Sequence, residues 1–251
     1  MKTRRLFAER LEDRKMFTVS AVLAGGVLNV SGSDQSEAFT LRYLKSTDKL
    51  TLSVGSQFFT FKASSVGQIV ANLGAGNDNW NGLATGFKAP QTIRGGAGND
   101  SITTGEGNDT IIGDSGNDTL IPWAGADRVF GGTGNDWIGL SNGDGGSFGY
   151  PNDFGYGEEG DDTMVGGTND QIFGGDGNDL LTASGIGAFG GTYMDGGNGD
   201  DRFRARQGQY RARDTIVGGN GYDVLETYDV DPRTLVMYEN IPRGASLERI
   251  A

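Results

Sequence analysis

Ten aspartates stand where a short glycine-rich turn gives way to an apolar residue, at spacings regular enough to suggest one shared chemistry: Asp78, Asp100, Asp109, Asp118, Asp127, Asp136, Asp162, Asp179, Asp201 and Asp223. The densest stretch, "GGAGNDSITTGEGNDTIIGDSGNDTLI" from Gly95 to Ile121, repeats Gly-Asn-Asp three times with a period of nine. A carboxylate supplies an anionic oxygen, and glycines, which adopt positive φ without steric cost, let a turn aim several backbone carbonyls at one point. Carboxylate and carbonyl oxygens are the donors a calcium ion takes, six to eight of them at about 2.3–2.6 Å.

Competing chemistries fail on composition. The 251 residues include no Cys and no His, which excludes disulfide frameworks, Cys/His zinc sites, Ser-His-Asp triads and Cys-His dyads. A net charge of -12 argues against a nucleic-acid partner, which needs a basic footprint, and is compatible with cation binding. A dinucleotide loop needs a third glycine that "GAGNDS" lacks, and nothing resembles the flanking helices and twelfth-position Glu of an EF-hand. No apolar run reaches the roughly 18 residues of a transmembrane segment. A chain without thiols suits an oxidising or extracellular compartment.

The elements that must position these aspartates follow from the period. Forty-five glycines punctuate the chain, and between them a large apolar residue recurs two places after each turn aspartate. Aligned on Gly-Gly-x-Gly-x-Asp-x-U-x, with U large and apolar, five units run unbroken from Gly95 to Gly139. This pattern resembles the RTX, or haemolysin-type, calcium-binding repeat, and with interruptions the resemblance extends from about Leu73 to Glu226. It implies an all-β fold, a parallel β-roll or β-helix solenoid in which each nonapeptide is half a coil: six residues of turn, then a three-residue strand with U pointing inward. Calcium is then the implied cofactor.

Numbering the units alternately separates two edges. The odd turns "LGAGND", "GGAGND", "GDSGND", "GGTGND", "GEEGDD", "GGDGND", "GGNGDD" and "GGNGYD" all keep the fourth-position Gly and the sixth-position Asp. Their aspartates, Asp78, Asp100, Asp118, Asp136, Asp162, Asp179, Asp201 and Asp223, should ladder along one edge, with ions between coils stacked about 4.8 Å apart. Asp109 and Asp127 form a shorter ladder on the even edge, where Asp170 and Asp214 are weaker candidates because their turns lack the fourth-position Gly. Inward positions would be Trp80, Ile102, Leu120, Ile138, Met164, Leu181, Phe203 and Leu225 on odd strands. On even strands they would be Ile93, Ile111, Val129, Phe154, Ile172, Met194 and Ile216.

The pattern divides the chain into residues 1–25 as an N-terminal leader or export-related segment, 26–72 as a β-rich N-terminal cap, 73–226 as the calcium-binding roll and 227–251 as a C-terminal cap. The segment "RRLFAERLEDRKMF" resembles the leader near the start of many large exported planctomycete proteins; a short amphipathic helix is the alternative. All four long units are even, so their loops leave from the even edge. There Phe148, Tyr150, Phe154, Tyr156, Phe189 and Tyr193, followed by Arg202, Arg204, Arg206, Arg211 and Arg213, could bind an extracellular polysaccharide or an anionic surface, or simply lie over the sheet as a solvated face.

The expected function is that of a calcium-binding, calcium-dependent-folding repeat protein with a structural or interaction role, extracellular or at the cell surface. Laddered carboxylates about 5 Å apart repel by roughly 1 kcal/mol in water. An ion at ten times its dissociation constant returns about 1.4 kcal/mol per site. Two alternatives remain open at this level: a β-helical polysaccharide-active enzyme of lyase type that uses calcium, and a cell-surface adhesin component.

Overall fold

The computed structural model describes residues 19–140, 152–184, 191–206, 214–228, 237–239 and 248–249. Among them there is no α-helix, and the chain winds as a solenoid of two facing sheets. One sheet runs in space from Ser20–Ala24 and Val27–Ser33 through Gln68–Ala75, Gln91–Ala97, Thr110–Ser115, Arg128–Thr133, Phe154–Glu159, Gln171–Asp176, Tyr193–Asn198 and Thr215–Asn220 to Met237–Glu239. The other begins with Gln57–Lys62, Lys49–Val54 and Ala38–Leu44. It continues through Asn79–Asn81, Ser101–Thr103, Thr119–Ile121, Trp137–Gly139, Thr163–Gly166, Leu180–Ala183, Arg202–Arg206 and Val224–Tyr228 to Glu248–Arg249. Pairing is parallel throughout the repeats and antiparallel only at the N-terminal end, in the Ser20–Ala24/Val27–Ser33 hairpin and the meander from Ala38 to Lys62.

The register stacks one inward residue per strand. Phe39, Trp80, Ile102, Leu120, Ile138, Met164, Leu181, Phe203 and Leu225 form one column, each buried. Opposite it stand Ala71, Ile93, Ile111, Val129, Ile172, Met194 and Ile216, also buried. Burying a Leu or Ile side chain contributes about 1.5–3 kcal/mol, so this double spine is what holds coil on coil.

Two expectations are corrected. Phe154 does not face inward; Gly155 takes that place, in register with Val129 and Ile172. The missing side chain is replaced from the preceding segment: a β-carbon on Gly155 would lie 3.0 Å from Met164 Cε and 3.2 Å from Leu140 Cδ1, and Leu140 is buried. The long unit thus supplies its inward group from its first residue rather than from its strand. Strands of the even sheet are also longer than three residues. Thr110–Ser115 runs on through the first three positions of the odd turn, because Asp114 and Ser115 still pair with Gly132 and Thr133 of the next coil.

Candidate metal centre on the odd edge

The odd turns share one backbone conformation. Second and fourth positions have positive φ in every coil, at Gly96 (112°) and Gly98 (124°), for example, and at Gly132 (116°) and Gly134 (120°). Where the second position is not glycine, Asp114 (76°) and Glu158 (77°) adopt the same left-handed region. A side chain at the fourth position would meet the carbonyl of the preceding coil: a β-carbon on Gly116 would overlap Gly98 O, and one on Gly134 would overlap Gly116 O. Glycine here is required by both φ and space.

Each sixth-position aspartate divides its carboxylate between two tasks. Its Oδ1 accepts the backbone N–H of the aspartate one coil earlier: Asp78 N–H to Asp100, Asp100 to Asp118, Asp118 to Asp136 and Asp136 to Asp162, all at 2.7 Å. Asp162 to Asp179, Asp179 to Asp201 and Asp201 to Asp223 continue the series at 2.8, 2.9 and 3.1 Å. At the N-terminal end, Asp78 Oδ1 takes the Glu37 N–H at 2.7 Å. The Oδ2 atoms of all eight odd-edge aspartates are buried with no hydrogen-bond partner.

Those oxygens point at a common kind of place. Beside Gly113 stand Asp118 Oδ2 and, from the next coil, Gly131 O, both within the space a β-carbon would fill. The same pairing recurs at Gly95 with Asp100 Oδ2 and Gly113 O, at Gly131 with Asp136 Oδ2 and Gly157 O, at Gly157 with Asp162 Oδ2 and Gly174 O, at Gly174 with Asp179 Oδ2 and Gly196 O, and at Gly196 with Asp201 Oδ2 and Gly218 O. A carboxylate oxygen of one turn and a carbonyl oxygen of the next therefore converge where the first-position residue has no side chain. Two oxygens with no proton between them repel; a hard cation reconciles them. Among the described residues no three acidic side chains cluster as a metal site on their own, so backbone carbonyls must complete any donor set.

Burial of unpartnered oxygens shows in their acidity. Desolvation pushes Asp78, Asp118, Asp162 and Asp201 up to about 7 and Asp136 and Asp179 to about 6, against the ladder N–H bonds, which pull the other way. Asp100 and Asp223 are raised for the same reason. Neighbouring carboxylates add to the rise, Asp136 and Asp100 on Asp118 among them.

A second ladder runs beside the first and was missed from sequence. The fifth-position side chain accepts from the following coil: Asn77 Oδ1 from Asn99 N–H, Asn99 from Asn117 and Asn117 from Asn135, each at 2.9 Å, then Asn135 from Asp161 at 3.0 Å. Fifth-position bonds point one way along the stack and sixth-position bonds the other. The recurrence of Asn immediately before Asp was the available signal.

The even edge is built differently from nearly the same letters. A sixth-position ladder exists there too: Gln91 N–H to Asp109, Asp109 to Asp127, Asp127 to Asp153 and Asp153 to Asp170, at 2.7, 2.6, 2.8 and 3.1 Å. Asp153 was not anticipated, although "ND" before the strand marks it. Farther along, Asp214 accepts Thr192 N–H at 2.9 Å. Two of the second oxygens, however, turn back into their own turns: Asp109 Oδ2 accepts Gly105 N–H at 3.2 Å and Asp170 Oδ2 accepts Gly167 N–H at 2.6 Å, whereas Asp127 Oδ2 makes no such bond and is buried as on the odd edge. Gly105 and Gly107 do not adopt the positive φ of their odd-edge counterparts.

Of the loop residues singled out for a polysaccharide or anionic partner, Phe148, Tyr150, Phe189, Arg211, Arg213 and the Arg206 side chain lie outside the described residues. The others engage within the fold. Arg202 and Arg204 both pair with Glu226, at 3.1 and 2.7 Å. Tyr156 stacks between Phe130 and Phe173 with ring centroids 5.1 and 5.0 Å apart, and Arg128 lies over Phe154. No helix among the described residues is long and apolar enough to cross a membrane.

Comparison with known families agrees with this geometry. Residues 86–120, 124–145, 152–181 and 211–229 match, in four copies, the model of the RTX calcium-binding nonapeptide repeat. No curated protein matches the chain. Periodic turns, a two-sheet parallel solenoid and the four matched copies together show that this chain carries RTX calcium-binding nonapeptide repeats.

Proposed function

We propose that the chain is a calcium-dependent-folding module that acts structurally or as an interaction surface outside the cytoplasm, and that its ions bind along the odd edge. One observation carries the reading: the eight odd-edge Oδ2 atoms are buried without a hydrogen-bond partner, six of them set against a carbonyl of the next coil. Bound calcium would supply positive charge between coils. The protein's own part is to bury and aim the oxygens: Asp100, Asp118, Asp136, Asp162, Asp179 and Asp201, with carbonyls of Gly113, Gly131, Gly157, Gly174, Gly196 and Gly218, are the groups placed to hold it. Residues 26–72 and 227–251 then cap a roll of 73–226, with 1–25 as an export-related segment.

The physical logic is linkage. A buried carboxylate without a partner costs stability, whereas an ion that binds only the folded chain returns it by mass action. A low-calcium compartment therefore leaves the roll weak and a high-calcium one sets it. Calorimetric titration with calcium, followed in parallel by far-UV circular dichroism, tests this: binding of several ions with a coincident gain of β signal is expected. Identical spectra in chelator and in millimolar calcium would remove the proposal.

A further inference from the structure

The N-terminal end of the second sheet finishes in an edge strand, Gln57–Lys62, which among the described residues is paired on one side only, with Lys49–Val54. Its open side can be read residue by residue. Ala63 N–H donates to Asp48 O at 2.9 Å, so position 63 faces inward, and alternation along an antiparallel pair makes Phe61, Phe59 and Gln57 face inward as well. Phe58, Thr60 and Lys62 therefore turn their backbone N–H and C=O groups out toward the open edge.

The side chains are as informative. Phe59 and Phe61 stand opposite Leu52 and Leu50, which are fully buried, yet the two rings are only half-buried because the sheet stops beside them. Phe58, on the other face, is 71% exposed. Proteins blunt such an edge with an interior charge, a proline or a bulge, and none lies between Gln57 and Phe61.

We propose that this edge pairs antiparallel with the same edge of a second copy of the chain, about a twofold axis passing beside Thr60. An antiparallel self-pairing can only oppose residues that both turn their backbone groups outward. With the axis at Thr60, Phe58 faces Lys62 of the second copy, Thr60 faces its equivalent, and Phe59 faces Phe61. All three outward-facing residues are then used, and no like charges meet. The close, non-hydrogen-bonded pairs are the phenylalanines that continue the core face. On the outer face the Lys62 ammonium of one copy comes against the Phe58 ring of the other, a favourable cation–π arrangement. This self-complementarity, with the lysine where the twofold sets it against an aromatic ring, is what favours a second copy as occupant. The pairing uses no calcium ligand, so it stands or falls separately from the metal reading.

Sedimentation velocity on the full chain in millimolar calcium, over a concentration series, tests it. A concentration-dependent dimer is expected. Phe58→Lys should weaken the dimer by about tenfold, since it sets two lysine pairs against each other, and adding Lys62→Glu should restore it. Thr60→Pro removes an outward N–H without touching the inner ladder and should also weaken it. Circular dichroism in calcium confirms that each variant is folded. A folded wild type that stays monomeric overturns the proposal, as does a dimer indifferent to all three changes, or a Phe58→Lys defect that Lys62→Glu does not repair. Dimers that form only after removal of residues 1–18 would overturn it too, assigning the edge to the chain's own N-terminal segment.

Discussion

Asp118 and Asp100 are joined by a 2.7 Å bond from the Asp100 N–H to Asp118 Oδ1, and the bond leaves Asp118 Oδ2 buried beside the Gly131 carbonyl with nothing to accept. The two oxygens of one carboxylate thus do different work: the first joins coil to coil, and the second is a charge awaiting a cation.

Asp118→Asn separates those tasks. Asparagine keeps an oxygen for the Asp100 N–H and puts an amide NH₂ where Oδ2 stood, within reach of Gly131 O. Thermal melts in chelator should show the variant at least as stable as wild type, because a buried charge has gone. In saturating calcium it should be less stable by about 1–3 kcal/mol, with a lower ion stoichiometry. A loss of equal size in both conditions would mean that Oδ2 does not face an ion.

In chelator, the pH dependence should run opposite to that of most acidic proteins. The folded-state values of Asp78, Asp118, Asp162 and Asp201 lie at about 7, above the ordinary 3.8, so the folded chain holds protons that the unfolded chain has released. Stability from these groups is complete below about pH 4 and is lost as pH rises through about 7. The melting temperature without calcium should fall from pH 5 to pH 8. With calcium the slope should reverse, since the ion needs the ionised form. Melts at three pH values in each condition decide it.

Much of this was legible in the letters. A nine-residue period with apolar residues two places after each aspartate is enough to specify two inward columns, and Trp80, Ile102, Leu120 and Phe203 stand where that arithmetic puts them. Gly155 escaped because a seventeen-residue unit hides its register, and because the replacement, Leu140, comes from the far end of the same unit. The repeat pattern separates the two edges, but the closing of the Asp109 turn on itself escaped for a deeper reason. "TGEGND" and "GGAGND" differ little in composition, but the first turn closes Asp109 onto Gly105 whereas the second opens Asp100 toward the next coil. That choice is made by φ at the second and fourth positions, which glycine leaves open.

First- and fourth-position glycines should fail in different ways. Gly116→Ala places a side chain at φ 126° against Gly98 O and should cost more than about 2 kcal/mol with or without calcium. Gly113→Ala fills the space shared by Asp118 Oδ2 and Gly131 O, so it should lower ion stoichiometry as well as stability. Gly67→Ala, whose β-carbon would meet only Gly26 O at 3.6 Å, serves as a control and should change stability by less than about 0.5 kcal/mol. Calcium titration of the three variants should separate them.

Asp109→Asn is the sharpest comparison with Asp118→Asn, because both residues occupy the sixth position of a Gly-Asn-Asp turn. Both Asp109 oxygens already accept backbone N–H groups, from Gln91 at 2.7 Å and Gly105 at 3.2 Å. An amide there must turn its NH₂ toward one of those donors and lose that bond, leaving a buried N–H unsatisfied. The cost should be about 1–3 kcal/mol, equal in chelator and in calcium, with ion stoichiometry unchanged. If Asp109→Asn instead removes an ion, the even edge binds calcium as the odd edge does, and the backbone difference between the two turns has no bearing on where the ions bind.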